Sequence, residues 1–163
     1  MRPGLRVISV GKLRDMFVRE FCDDYVQRLT HLVTKLECLE LADEPTPDGI
    51  ADLEEDSIRL KEGQRILAKV GERDYVVACD LDGKQLTSPE FAQHIMDAVT
   101  FRTASTFTLI IGGSLGLHRS VLERADFRWC FGKLTLPHAL ARVVALEQFY
   151  RALKIIRGEA YHK

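Results

Sequence analysis

No CxxC pair occurs among the 4 cysteines, and the 5 histidines show no HxxxH spacing. The usual ligand grammar of a zinc site is therefore missing, and no metal is expected. Cys22, Cys38, Cys79 and Cys130 stand far apart among apolar neighbours, which reads as reduced, buried thiols of a cytosolic protein. No apolar run approaches the roughly 20 residues that a bilayer-spanning helix needs. The opening MRPGLRVISVGK lacks the layout of a secretory leader and reads instead as a first strand. Neither a GxGxxG fingerprint nor a Walker lysine is present. With only 5 prolines, no repeat and no low-complexity segment, the chain is neither disordered nor a solenoid.

What is present fits one soluble domain spanning 1–163. A chain of 163 residues, 46% of them hydrophobic, is long enough to bury roughly 70% of its unfolded surface. The net charge of -1 does not advertise a polyanion partner, but its distribution is uneven. Glu37 to Glu62 is acidic, with Arg59 and Lys61 as its basic residues, whereas the segment from His118 onward is rich in Arg and Lys. That asymmetry permits phosphate contacts by the C-terminal half, and a solvated basic face explains it as well.

Hydrophobic periodicity alternates between short strand-like runs and longer helical ones. Strands are expected at 5–10, 36–41, 75–80, 106–111 and 127–131. Helices are expected at 15–33 with Asp15 as cap, at 52–70, from Ser88 with Pro89 in its first turn, at 118–125, and from Pro137 for about twenty residues. DEPTPDG, 43–49, is a loop, and Leu81-Asp82-Gly83 a turn. This alternation predicts an α/β domain with a mostly parallel sheet and helices on both faces. Ligands of such sheets sit at the carboxyl ends of strands, so chemistry is expected at Asp80–Gly83, Gly112–Leu117 and Gly132–Pro137.

Gly112-Gly113-Ser114-Leu115-Gly116 joins a strand to a helix, where glycines let a ligand approach the main chain. A connecting turn without a ligand fits the bare pattern equally well. Phe131-Gly132-Lys133-Leu134-Thr135-Leu136 is unusually apolar for a strand-end loop and needs a cover, either another chain or a flat ligand such as adenine. His138 stands in the first turn of the last helix, where an imidazole can take a proton or serve as plain packing. That helix is apolar nearly all round, so a second covering surface is expected, most simply a partner subunit in a two-fold dimer. Glu147 and Arg151 lie four apart and can pair. The chain then ends on the polar IIRGEAYHK.

Four segments together carry a resemblance: LRVISVGKLRD, KEGQRILAK, IIGGSLGLHRSVLERA and GKLTLPHALARVVALEQFYRALKIIRGEAYHK. They are similar to the ribosomal RNA large subunit methyltransferase H (RlmH) family, small SPOUT-class enzymes, over essentially the whole chain. The resemblance implies a C-terminal trefoil knot, a homodimer, and S-adenosylmethionine as cofactor. It also implies methylation of N3 of a pseudouridine (the pseudouridine1915 activity) in helix 69 of 23S rRNA within the ribosome. A non-catalytic ribosome-binding factor on the same fold is the alternative.

Carried over by motif, the cofactor contacts fall on Cys79, Gly112, Phe131, Gly132, Lys133, Leu134, Thr135 and Leu136. At Cys79 the family often has a bulky aliphatic residue, so contact there is expected through the main chain. His138, Arg142, Tyr161 and His162 are the expected catalytic and base-handling residues, with Arg142 one helical turn beyond His138. Arg151 and Lys163 are expected to meet RNA.

Overall fold

The computed structural model describes residues 2–161; His162 and Lys163, expected at the site, lie outside the described residues. The elements run β1 (Gly4–Val10), α1 (Met16–Thr30), β2 (Leu36–Leu41), α2 (Asp52–Leu67), β3 (Tyr75–Gln85), α3 (Ser88–Arg102), β4 (Thr106–Ile111), α4 (Arg119–Arg124), β5 (Phe127–Cys130) and α5 (His138–Ile156). All strand pairings are parallel, in the order β2-β1-β4-β3-β5.

Residue composition accounts for these positions. GLRVISV and TFTLII are almost continuously apolar, as strands covered on both faces must be, and they occupy the interior as β1 and β4. LECLEL alternates and forms the half-exposed edge β2. One apolar layer, containing Leu5, Val7, Phe107, Leu109 and Phe149, packs under α1, α3 and α5. A smaller one, with Ile8, Val10, Ile66, Ile110 and Val121, packs under α2 and α4. Helices therefore cover both faces, as expected.

Helix starts follow local chemistry. Asp15 caps α1 by accepting from the Phe17 and Val18 amides. The α3 cap is Thr87 rather than Ser88, in a reciprocal capping box with Glu90. The helix expected at 52–70 is shorter, closing at Leu67 with a turn through Val70. Of the cysteines, Cys22 and Cys130 are buried, Cys79 is intermediate and Cys38 is exposed, so the expected burial of all four does not hold; all are free thiols.

One expectation is corrected by packing. Leu81-Asp82-Gly83 is no turn ending a strand: β3 continues to Gln85, and the register against β5 shifts there, with both Cys79 and Lys84 opposite Trp129. The segment is a bulge. Within the chain α1 and α3 flank α5, while Leu140 is 47% exposed and Val143, Val144, Ile155 and Ile156 are half-buried, so part of its apolar surface is left for a second cover.

Gly83 permits this bulge, since a Cβ there would lie 2.6 Å from the Arg128 carbonyl oxygen and 2.8 Å from the Trp129 nitrogen. Both obstacles are backbone, which cannot swing aside. Gly83→Ala should therefore destabilise the fold by about 1–3 kcal/mol, seen as a lower urea midpoint with an unchanged slope.

Candidate active site

Because the sheet is parallel, the ends of β4, β3 and β5 stand side by side on one edge, about 4.8 Å apart. The three expected loops thereby become neighbours. Gly112 leaves β4 where a Cβ would press on Leu117 at 3.0 Å and on the Gly116 carbonyl carbon at 3.1 Å. Asp80 at the β3 bulge accepts from the Arg128 Nε at 2.6 Å, tying β3 to β5. The Cys79 sulfur is enclosed, and burial pushes its thiol up to about 12, so it stays neutral.

The loop after β5 hangs from an aromatic stack. Phe91 stacks on Trp129 with centroids 3.9 Å apart, and Trp129 meets the edge of Phe131 at 4.7 Å. Gly132 takes φ +149°, where a side chain would be strained. Beyond it Leu134 is 78% exposed, an unusual exposure for a leucine beside a packed core. None of the main-chain N–H groups of Lys133, Leu134, Thr135 and Leu136 donates to another described residue. Unpaired amides next to exposed apolar surface fit a flat heterocycle, with ring faces for the leucine and edge atoms for the main chain.

His138 opens α5 at the same edge. Its ring packs over Gly11, just past β1, with Cε1 3.4 Å from where a Cβ would stand, and its Nδ1 is buried without a partner. Arg142 reaches the same glycine, donating from Nη2 to the Gly11 carbonyl at 3.2 Å and from Nη1 to Glu40 Oε1 at 2.6 Å. The two residues thus converge, as their spacing suggested. Arg142 is only 7% exposed, and both terminal nitrogens are engaged inside the protein, while its Nε has no partner. It forms one wall of a cavity of about 270 Å³ among Ser9, Arg19, Cys22 and Cys38.

Glu40 and Gly11 were not singled out in the sequence, since their partners are distant along the chain. Glu40 also accepts from the Leu13 amide at 3.2 Å and from Arg19 at 3.2 Å. Burial acts to raise its carboxyl, but the Arg142 and Leu13 hydrogen bonds outweigh it and leave the group below its ordinary value. Glu62, in KEGQRILAK, was likewise unassigned. It is 5% exposed, accepts from the Glu44 amide at 2.9 Å, and turns its carboxylate toward Gly113 of the glycine loop.

The remaining expected residues are elsewhere. Tyr161 lies against Tyr150 and Arg151, roughly 18–20 Å along α5 from His138 at 1.5 Å per residue. One chain does not bring it to the imidazole. Arg151 donates to Glu147 Oε1 at 2.9 and 2.6 Å and covers the Tyr161 ring, so its charge is turned inward as well as outward. Among the described residues no group of His, Cys, Asp and Glu is arranged to hold a metal ion, and no helix is long and apolar enough to cross a membrane.

Two variants test this electrostatic frame. Glu40→Ala leaves Arg142 buried with one fewer partner and should cost on the order of 3 kcal/mol, measured by chemical denaturation. Glu62 works in the opposite sense: burial raises its carboxyl, outweighing the Glu44 amide that lowers it. Its contribution to stability is therefore complete below the ordinary carboxyl range and is lost as pH rises through the raised value. Calorimetric melting of Glu62→Gln should gain on the parent as pH rises from the ordinary carboxyl range through the raised value; a pH-independent difference would contradict this account.

Comparison with known proteins gives the chain a family. A family model described as "Predicted SPOUT methyltransferase" matches residues 4–162. The chain is 43% identical over 159 residues to the ribosomal RNA large subunit methyltransferase H of Desulfitobacterium hafniense, covering 98% of each protein. It is 47% identical over 160 residues to that of Clostridium beijerinckii and 48% identical over 159 residues to that of Streptococcus thermophilus, covering 98% of this chain and 99% of each relative. A solved structure of a probable methylase family protein from Haemophilus influenzae shares the fold with a TM-score of 0.53 at 12% identity, over 100% of this chain and 72% of the other. The loops at the ends of β3, β4 and β5 are thus those of a member of the SPOUT methyltransferase family, and the chain belongs with its ribosomal RNA large subunit methyltransferase H proteins.

Proposed function

We propose that this protein methylates large-subunit ribosomal RNA, using S-adenosylmethionine to place a methyl group on N3 of a pseudouridine in helix 69 of the assembled ribosome. The carrying observation is the row of unpaired amides at Lys133–Leu136 beside exposed Leu134, on the edge where β4, β3 and β5 end. Those amides and the Phe131–Leu136 surface would hold the adenine. Gly112 would let the ligand approach the main chain at β4, and Cys79 would contribute its backbone. The threading of this region as a trefoil knot belongs to the same reading.

The cofactor, when bound, supplies an activated methyl group. The protein's part is to align the base, exclude water and move one proton. His138, with its buried unpartnered Nδ1, is the side chain best placed to hold or take the N3 proton. Arg142 fixes the Gly11 backbone on which that ring rests. A positioned base is typically worth about 10²–10⁴-fold. The C-terminal residues Tyr161–Lys163 would handle the substrate nucleotide, and Lys163 would meet phosphate.

A homodimer and a cytoplasmic location complete the proposal. Support for the dimer comes from the incompletely covered apolar surface of α5 and from the starts of α1 and α5. Met16, Phe17, Leu134 and Leu140 are exposed at the carboxyl edge of the sheet, where α1 and α5 both begin. A second copy would cover that apolar rim. It would also allow the tail of one subunit to serve the site of the other, given that Tyr161 stands away from His138 in its own chain.

Saturating S-adenosylmethionine or S-adenosylhomocysteine, at about 100-fold over Kd, should stabilise the protein by about 2.7 kcal/mol, or roughly 5–10 °C in melting temperature for this size. No shift with either would sink the methyltransferase reading. Removing Tyr161–Lys163 should leave that shift intact while slowing methylation of unmodified ribosomes by roughly 10²-fold. Ribosomes should be far better substrates than an isolated helix 69 hairpin, because a protein of net charge -1 gains little from bare phosphate contacts.

A further inference from the structure

The described end of the chain is folded back. Beyond Ile156 the backbone reverses at Gly158, φ +66°, a conformation glycine adopts without strain. The Gly158 amide donates to the Ile155 carbonyl at 2.9 Å and the Glu159 amide to the Lys154 carbonyl at 3.0 Å, while Lys154 pairs with Glu159. Arg157 anchors the end of α5 to the turn after α1 through the Leu32 carbonyl at 3.2 Å. The reversal lays Tyr161 along the flank of α5.

There the half-buried side chain meets four chemically distinct partners. Tyr150 presents a T-shaped contact at 4.9 Å, and the Arg151 guanidinium lies 4.7 Å above the ring centroid. The hydroxyl is 3.4 Å from the Tyr25 hydroxyl on α1 and 3.4 Å from Glu147 Oε1. Glu147 also takes two hydrogen bonds from Arg151, so one carboxylate fixes the guanidinium over the ring and receives the phenol. Tyr25 is buried, and burial, followed by its hydrogen bond with Tyr161, pushes its phenol upward. Quadrupole, cation and hydrogen-bond preferences thus select a tyrosine at this position.

We infer that Tyr25, Glu147 and Arg151 form a receptor for Tyr161 that positions the chain terminus for catalysis. They are positioning residues, not catalytic ones. His162 and Lys163 follow Tyr161 directly, so docking its ring fixes the point from which both depart. The inference rests on the proposed substrate-handling role of the tail. It reassigns Arg151 from an RNA contact to a part of the tail's support.

The test uses the full-length protein with Tyr25→Phe, Tyr161→Phe and the double variant. Each substitution keeps the ring and removes only the hydroxyl. Hydrogen exchange at the Glu159 and Tyr161 amides reports docking independently of any reaction. Exchange should quicken several-fold in each single variant and no further in the double. In ribosome methylation, kcat should fall by a similar factor in both singles and not add in the double. The melting shift with S-adenosylhomocysteine should stay at the parental value. Unchanged exchange in both single variants overturns the receptor. Faster exchange with parental turnover overturns its positioning role. The parental protein's own shift with S-adenosylhomocysteine is the control that separates either failure from a failure of the methyltransferase reading.

Discussion

A guanidinium held out of water needs compensation, and the terminal nitrogens of Arg142 find it in residues drawn from distant stretches of the chain. Glu40 lies at the end of β2, Gly11 follows β1, and Arg142 sits one turn into α5. Glu40 extends the network through the Leu13 amide and through Arg19, whose Nε donates to the Leu13 carbonyl at 3.1 Å. The start of α1, the loop after β1, the edge strand and the last helix are thereby locked to one another. Desolvating a charge is costly, so this lock contributes less to net stability than its bonds suggest. It contributes geometry instead: His138 rests on the glycine that Arg142 holds.

Two modes of construction meet along the sheet edge. On the β1–β2 side the architecture is made of side chains, charged and paired. On the β3–β5 side, beside the Asp80–Arg128 pair, it is made of main chain, with glycines, unpaired amides and an aromatic stack beneath. The second mode tolerates variation in side-chain identity, and this is consistent with a neutral, enclosed cysteine at position 79. The first does not, because each charge needs its own partner.

The sequence made much of this legible, and physical range explains the rest. Asp15, Pro89 and Gly112 act within a few residues, so caps and the glycine loop were readable. The β3 bulge was not, since Leu81-Asp82-Gly83 has the composition of a turn and only the approach of Arg128 and Trp129 makes it a bulge. Glu40 escaped notice because its partner is 102 residues away. The apolarity of α5 was visible, but periodicity reports that a face is covered and not which chain covers it. Tyr161 stands out by residue type alone, in a polar stretch after an apolar helix. Its neighbours on α1, 136 residues earlier in the case of Tyr25, leave no mark in local pattern.

The pairing of β1 with β4 aligns Gly4 with Thr106 and Ser9 with Ile111. In a parallel sheet such contacts close long loops before they return any stabilisation, which slows folding. The consequence concerns synthesis. Until Ile111 has emerged, β1 lacks its central neighbour, and its apolar residues stay without their native cover on that side. Arg142 emerges later still, so Glu40 waits for its counter-charge until most of the chain exists. Closure of the structure therefore comes late, when α5 packs over a sheet whose first strand was made first.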